Sequence, residues 1–214
     1  TKCDVIFHCA AYKHVDMMEA NPVAVMENNV LGTKNLLDAA LNHNVSRFVL
    51  ISTDKAVSPV CTYGFSKMLC EKLVLDASRK TKGSQAFMFV RFGNVLGSRG
   101  SILPLFQNQI KNGGPVTVTD PNMVRYFMTI PEACSLVLEA GGHGENGRSY
   151  LLDMGEPIKI LELAEQIIRF SGLEPYKDID RKITGIRPGE RLDEPLWLKE
   201  ENPEQTEFPK ILKL

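Results

Sequence analysis

The 214-residue sequence lacks the features that mark several specialised classes of protein. No apolar run approaches the roughly 20 residues that a membrane-spanning helix needs, and no signal peptide is visible. The five cysteines are odd in number and have no C-x-x-C spacing, which disfavours a metal site or a disulfide framework and favours reduced thiols. The net charge of −1 provides no general attraction to nucleic acid or to an anionic membrane. We therefore expect a cytoplasmic globular protein that binds neither metal nor nucleic acid.

The first 100 residues alternate apolar strands with amphipathic helices. Strands are predicted at Val5–Cys9, Arg47–Ile51 and Ala86–Phe92, and helices at Pro22–Asn44 and Thr62–Lys80. The middle strand is apolar after its first residue, as a parallel strand that is buried on both faces should be. This order predicts an α/β fold with a parallel sheet flanked by helices.

The second half of the sequence is less regular. Helices are predicted at Leu103–Asn112, Pro131–Ala140 and Ile158–Phe170, and strands at Val116–Thr119 and Ser149–Asp153. We assign residues 1–100 to the sheet domain and 101–199 mainly to a smaller subdomain, with 148–153 returning to the sheet. Residues 200–214 are polar and interrupted by proline, so we expect a weakly ordered tail.

The most informative segment, Ser52 to Lys67, reads STDKAVSPVCTYGFSK. Tyr63 and Lys67 are four residues apart and share one face of the predicted helix, where the ammonium favours the phenolate. Asp54 and Lys55 directly follow the predicted strand, at the sheet edge where α/β proteins bind ligands. The pattern predicts proton-transfer chemistry, although a surface Tyr-Lys pair and an exposed Asp-Lys dipeptide remain structural alternatives.

Several longer segments resemble the extended short-chain dehydrogenase/reductase superfamily and, within it, the nucleotide-sugar 4,6-dehydratases of the CapD-like polysaccharide biosynthesis group. The segments are FHCAAYKHVDMMEANP, NNVLGTKN, STDKAV, YGFSK, RFGNVLGSRGSILPLF, TVTDPNMVRYFMTIPEA, LDMGEPIKI and TGIRPGE, which run from about residue 7 to 190. The resemblance implies a partial Rossmann-like domain and a small C-terminal substrate-binding α/β subdomain. Larger members often have methionine where this chain has Tyr63.

The resemblance also implies a reaction and roles for five residues. Tyr63, assisted by Lys67 and Thr53, takes the 4-hydroxyl proton of a UDP-hexose while C4 gives hydride to NAD or NADP. Lys55 then removes the C5 proton, and Asp54 protonates the departing 6-hydroxyl. Hydride returns to C6 and leaves a 4-keto-6-deoxy sugar, with UDP-N-acetylglucosamine as the expected substrate.

Further residues are implied to bind the cofactor and the substrate. The cofactor positions are Cys9, Ala10, Ala11, Tyr63, Lys67 and Val95. The substrate positions are Lys13, Asn94, Ser98, Arg99, Thr119, Arg125, Arg187 and Glu190. Some of these residues also have a purely structural interpretation. The alternatives are tight helix–sheet packing at Ala10 and Ala11, a turn at Asn94, an exposed loop position for Lys13 and a solvated side chain for Arg187. We expect His8 and His14 to be packing groups, and Asn28 and Asn29 to form a polar patch that braces the active-site strand.

One departure concerns the cofactor loop. No G-x-x-G-x-x-G follows a strand, although such a loop holds the pyrophosphate in this family. The sequence also opens in the middle of a strand, so we interpret it as a fragment that lacks the N-terminal loop, binds dinucleotide weakly and is inactive alone. The choice between NAD and NADP stays open.

Two other functions compete with the dehydratase. A UDP-sugar 4-epimerase shares Tyr63 and Lys67 but needs no acid–base pair at Asp54 and Lys55. A catalytically silent nucleotide-sugar-binding subunit needs neither pair. For the full-length protein we expect a homo-oligomer, with membrane attachment only through segments outside this sequence.

Overall fold

The computed structural model describes residues 3–214 and confirms the predicted α/β fold. The strands are β1 (Val5–His8), β2 (Arg47–Ile51), β3 (Ala86–Arg91), β4 (Asn94–Val95), β5 (Val116–Val118), β6 (Val124–Arg125), β7 (Phe127–Met128), β8 (Ser149–Leu152), β9 (Ile158–Lys159), β10 (Arg181–Ile183), β11 (Glu204–Gln205) and β12 (Ile211–Lys213). The helices are α1 (Val15–Ala20), α2 (Pro22–Val25), α3 (Gly32–Asn42), α4 (Thr62–Ser78), α5 (Ile102–Lys111), α6 (Ile130–His143) and α7 (Ile160–Phe170).

The main sheet has six strands in the order β1-β2-β3-β8-β12-β11. The first four are mutually parallel, and β12 and β11 extend the sheet with antiparallel pairing. The interior strands β2 and β3 are apolar except for one terminal arginine each, because helices cover both faces of the sheet. Helices α3 and α4 pack on one face, and α6 packs on the other.

A smaller unit lies beyond the carboxyl ends of the parallel strands. Helices α5 and α7 pack against the two-stranded parallel sheet of β5 and β10 around a separate apolar core. Two short ladders, β4 with β7 and β6 with β9, accompany these elements. Between α6 and β9 the chain passes through the main sheet at β8, which pairs with β3.

The helix predicted at Pro22–Asn44 is not continuous. It begins as α2, passes through a π-helical segment at Met26–Leu31 and continues as α3. The wider turn carries Asn29, which is 1% exposed and makes several side-chain hydrogen bonds. A π-helical insertion of this kind frequently lies at a functional site.

The expectation of a weakly ordered tail at residues 200–214 is wrong. β12 pairs with β8, and its Ile211 is 1% exposed in the core. The Glu201 carboxylate accepts two hydrogen bonds from Arg91 of β3, at 2.8 and 2.9 Å. These contacts join residues far apart in the chain, so the polar local composition of the tail does not reveal them.

Candidate active site

A cavity of about 490 Å³ lies beyond the carboxyl ends of β1, β2 and β3. Parallel strands end at one edge of the sheet, so the loops that follow them converge there. The smaller unit supplies the opposite wall through β5, α7 and the segment 184–190. The cavity is therefore bounded by the sheet domain on one side and by the smaller unit on the other.

A 3₁₀ turn at Asp54–Ala56 carries the central residues of the site. The Thr53 hydroxyl accepts a hydrogen bond from the Lys55 main-chain N–H at the start of this turn. The turn packs tightly against the first turn of α4 at Gly64, where a Cβ atom would lie 2.2 Å from the Lys55 carbonyl oxygen. Only glycine allows this approach, which brings Lys55 close to the helix that carries Tyr63 and Lys67.

Tyr63 and Lys67 both line the cavity from α4. Burial and the Asp54 carboxylate raise the pKa of Tyr63 above its ordinary value, and a hydrogen bond with Thr53 acts in the opposite direction. The net direction is therefore upward, although the Tyr63–Lys67 spacing predicts that the ammonium favours the phenolate. Burial also lowers the pKa of Lys67, against the opposing influence of Cys70, Glu71 and Cys9. With its pKa raised, Tyr63 is a neutral phenol at neutral pH.

Asp54 and Lys55 form a close pair with different exposure. The Lys55 ammonium lies 3.0 Å from Asp54 Oδ1 and 3.4 Å from Asn94 Oδ1. The Thr53 hydroxyl also donates to Asp54 Oδ1, at 2.8 Å. Among the residues that the structure describes, Asp54 Oδ2 has no hydrogen-bond partner, and the side chain is fully buried. Asp54 thus lies beneath Lys55 rather than in the cavity wall, because its two donors and Gly93 enclose it.

The structure brings most of the predicted site residues to the cavity wall. They are Cys9, Ala11, Lys13, Thr53, Lys55, Tyr63, Lys67, Asn94, Val95, Ser98, Thr119, Arg125, Arg187 and Glu190. Arg99 is exposed, and neither it nor Ala10 belongs to the wall. Lys13 and Ser98 approach each other at 3.3 Å between Nζ and Oγ across the mouth of the cavity.

Two predicted substrate-binding arginines have different surroundings. Arg187 is half-exposed and lies 3.9 Å from Asp16 at the cavity rim, so its guanidinium remains accessible. The buried Arg125 instead donates to the carbonyl oxygens of Arg191 and Leu192, at 2.7 and 2.9 Å. These bonds hold the 191–192 segment and leave the guanidinium of Arg125 less available to a ligand.

Two histidines line or adjoin the site. Burial, followed by the charge of Lys67, lowers the pKa of His8 to about 4, and His8 Nε2 lies 2.8 Å from the Thr33 hydroxyl oxygen. The Thr33 hydroxyl donates to the Asn29 carbonyl at 2.6 Å, so the His8 ring donates to Thr33. His14 contacts Gly100 at the mouth, where a Cβ atom would lie 2.4 Å from its ring.

Sequence reasoning missed Glu194 and Arg191, two residues that lie behind the wall. Glu194 and Arg191 lie next to the Asp54–Lys55 turn although they are more than 130 residues away in the chain, and their spacing in the sequence gives no signal.

Asn29 holds the loop after β1 by hydrogen bonds with the main chain of Tyr12, at 2.8 and 3.0 Å, and with the Ser66 hydroxyl, at 2.9 Å.

Within residues 3–214, no group of three or more His, Cys, Asp or Glu side chains is arranged to hold a metal ion. None of the helices over the same range is both long and apolar enough to cross a bilayer.

Comparison with known proteins identifies relatives along the whole chain. The chain is 52% identical over 206 residues to the capsular polysaccharide biosynthesis protein CapD of Staphylococcus aureus, covering 96% of this chain and 34% of CapD. A protein named UDP-glucose 4-epimerase, from Rickettsia rickettsii, is 40% identical, covering 92% of this chain and 56% of its own length. The chain thus spans about a third of the length of CapD.

Solved structures share the fold. Pen from Bacillus thuringiensis superimposes with a TM-score of 0.90 at 37% identity, covering 98% of this chain and 66% of Pen. DesIV from Streptomyces venezuelae, a dTDP-glucose 4,6-dehydratase solved with NAD, has a TM-score of 0.79 at 24% identity, covering 88% of this chain and 63% of DesIV. The similarity to DesIV is evidence for the fold alone.

The family model described as "Polysaccharide biosynthesis protein" matches residues 1–214, the full sequence. Together with the identity to CapD, this match shows that the chain belongs to the CapD-like polysaccharide biosynthesis protein family.

Proposed function

We propose that this chain carries the sugar-modifying part of a nucleotide-sugar 4,6-dehydratase, with UDP-N-acetylglucosamine as the first substrate to test. The observation that carries the proposal is the Asp54–Lys55 pair, 3.0 Å apart beside a cavity that Tyr63 and Lys67 also line. Elimination of water from a hexose needs a base at C5 and an acid at C6, whereas epimerisation at C4 needs neither. Two positioned proton-transfer groups next to an oxidation site therefore favour the dehydratase.

The first step is removal of the substrate's 4-hydroxyl proton by Tyr63. Because burial and Asp54 hold the tyrosine neutral in the ligand-free protein, the phenolate has to form when positive charge enters the site. A nicotinamide dinucleotide held against Tyr63, Lys67 and Val95 would supply that charge and the hydride chemistry between C4 and C6, and Lys55 would return a proton to C5. Lys67, whose pKa burial lowers, remains close enough on the same helix face to stabilise the phenolate.

Water loss depends on one proton that Asp54 and Lys55 share. The observed hydrogen bond has the form of an ammonium and a carboxylate, and moving one proton across 3.0 Å converts it into an amine and a carboxylic acid. The amine can then take the C5 proton, while the acid supplies the proton for the departing 6-hydroxyl. Because Asp54 is covered, its proton reaches the cavity through Lys55 or Thr53, the two groups that donate to Oδ1.

Residues on the cavity wall provide nucleotide and cofactor contacts in this proposal. The accessible guanidinium of Arg187 suits paired phosphate oxygens, and Glu190 beside it suits ribose hydroxyls. Cys9, Ala11 and Val95 present small or apolar surfaces where the nicotinamide ribose and ring would approach. The choice between NAD and NADP does not follow from these residues.

Product mass tests the proposal in the full-length protein. Incubation with UDP-N-acetylglucosamine and a nicotinamide dinucleotide should give a nucleotide sugar that has lost one water molecule. The second candidate, a UDP-sugar 4-epimerase, is favoured by the name of the Rickettsia relative and would leave the mass unchanged. Substrate binding without any conversion would support the silent binding subunit instead.

A further inference from the structure

Glu194 is a buried acid to which the proposed reaction assigns no role. Its side chain is 4% exposed, and three cationic groups surround it. Glu194 Oε2 lies 3.2 Å from Arg191 Nε, and Oε1 lies 3.8 Å from Arg125 Nη2 and 3.9 Å from Lys55 Nζ. The carboxylate is therefore directly adjacent to the lysine that would remove the C5 proton.

The arginines around Glu194 join the segment 191–194 to the catalytic turn. Arg191 donates to the carbonyl oxygens of Val57 and Ser58, at 2.8 and 2.9 Å, directly after the 3₁₀ turn. Arg125 donates to the carbonyls of Arg191 and Leu192 from the neighbouring β6. The same segment begins immediately after Arg187 and Glu190 on the cavity wall. One short stretch thus contacts both the proposed nucleotide-binding residues and the loop that carries Lys55.

The charges in this cluster explain why the acid is needed. Lys55, Arg125 and Arg191 face two carboxylates, Asp54 and Glu194, which leaves one net positive charge in a buried region. Without Glu194, three cations would face Asp54 alone, and the arginines would repel the Lys55 ammonium toward solvent. Lys55 would then lose its short contact with Asp54.

We infer that Glu194 is a positioning residue that holds Lys55 against Asp54 and links the placement of this pair to the Arg187–Glu190 segment. The inference rests on the proposed dehydratase function and goes beyond it, because Glu194 does not itself line the cavity and would act only through Lys55. Replacement of Glu194 should therefore slow only the steps that use Lys55. Oxidation at C4, which uses Tyr63 and Lys67, should be spared.

The test compares wild type with Glu194→Gln in the full-length protein. Oxidation at C4 is followed by the near-ultraviolet absorbance of bound reduced nicotinamide, and elimination by loss of one water in the product mass. Proton removal at C5 is measured separately, as deuterium uptake from heavy water. We expect C5 exchange and water loss to fall about 100-fold, since a displacement of about 1 Å can have this effect. The variant should therefore accumulate reduced nicotinamide.

Two further variants complete the design. Glu132→Gln removes an exposed carboxylate that pairs with Lys210 and should leave every step unchanged. Glu194→Asp keeps the negative charge but shortens the side chain by one methylene, so its elimination rate should lie between those of wild type and Glu194→Gln. If Glu194→Gln does not fold, Glu194→Asp alone is compared with wild type.

The outcomes separate the two ideas. If wild type dehydrates the sugar and both Glu194 variants eliminate water at the wild-type rate, the positioning role of Glu194 is overturned and the proposed function stands. Equal slowing of oxidation and elimination would also overturn it, because a general structural defect would affect both steps. Wild type that never releases water would overturn the proposed function and this inference with it.

Discussion

Asp54 Oδ1 lies 3.0 Å from Lys55 Nζ, whereas Asp54 Oδ2 is buried without a hydrogen-bond partner among residues 3–214. A buried carboxylate oxygen without a partner is costly, so Asp54 depends on the two side-chain donors at Oδ1, Thr53 and Lys55. The pair also connects directly to Tyr63, since Asp54 is one cause of the raised tyrosine pKa.

The first prediction separates the two members of this pair. Asp54→Asn should lower the rate of water loss about 10²- to 10⁴-fold, as removal of a general acid does, while oxidation at C4 continues. Lys55→Met should in addition abolish deuterium uptake at C5, because the amine that takes the proton is gone. Product mass and deuterium content measure both effects. Lys34→Met, at an exposed lysine paired with Asp38, serves as the control. Normal elimination by Lys55→Met would contradict the role assigned to this lysine.

The second prediction concerns the ionisation of Tyr63. Because burial and Asp54 raise its pKa, Tyr63 should remain protonated below about pH 10 in the ligand-free protein. Oxidised cofactor should move the ionisation to lower pH, since its positive charge favours the phenolate. The ultraviolet difference spectrum between wild type and Tyr63→Phe isolates this one tyrosine. A Tyr63 signal that titrates near pH 7 without cofactor would show that the lysine alone activates it.

The third prediction concerns acid stability through His8. Its pKa is about 4 in the folded protein and about 6.5 in an unfolded chain, so protonation favours unfolding. The associated stability is fully present above about pH 6.5 and is lost as the pH falls toward 4, to a total of about 3 kcal/mol.

Denaturant unfolding of the full-length protein at two pH values measures this contribution. His8→Gln keeps an N–H donor for Thr33 but does not titrate, so the variant should lose less stability than wild type between about pH 7 and 4.5. Parallel losses in the two proteins would mean that His8 is not the titrating group.

The fourth prediction concerns the anchor of the C-terminal segment. Arg91 is bound bidentately by Glu71 at 2.8 Å and also donates to both oxygens of Glu201. Glu201→Ala should cost about 1–3 kcal/mol of unfolding free energy, because a buried charge loses one of its two partners. Hydrogen exchange should also become faster at Ile211. Glu200→Gln, at an exposed neighbour, should change neither quantity. Unaltered exchange in Glu201→Ala would mean that the strand pairing of β12 suffices to hold the tail.

The sequence predicts the main elements of the fold because their signals are local. The apolar run that follows Arg47 can be buried only between two layers of helices, and it forms the interior strand β2 (Arg47–Ile51) of the sheet. The helix boundary at Thr62 is also as predicted, with the Cys61 thiol accepting a hydrogen bond from Gly64. The π-helical segment at Met26–Leu31 has no such local signal, because the buried contacts of Asn29 stabilise it.

The candidate site also combines features that the sequence determines with features that only the tertiary structure determines. The types and spacing of Thr53, Asp54, Lys55, Tyr63 and Lys67 are properties of one continuous segment, so the sequence alone determines the chemistry available there. Their relative depth is decided by tertiary contacts: Gly93 and two donors cover Asp54, and burial raises the pKa of Tyr63. The proximity of Glu194 to Lys55 is likewise a product of folding, because desolvation and Coulomb interactions depend on distances in space rather than on separation along the chain.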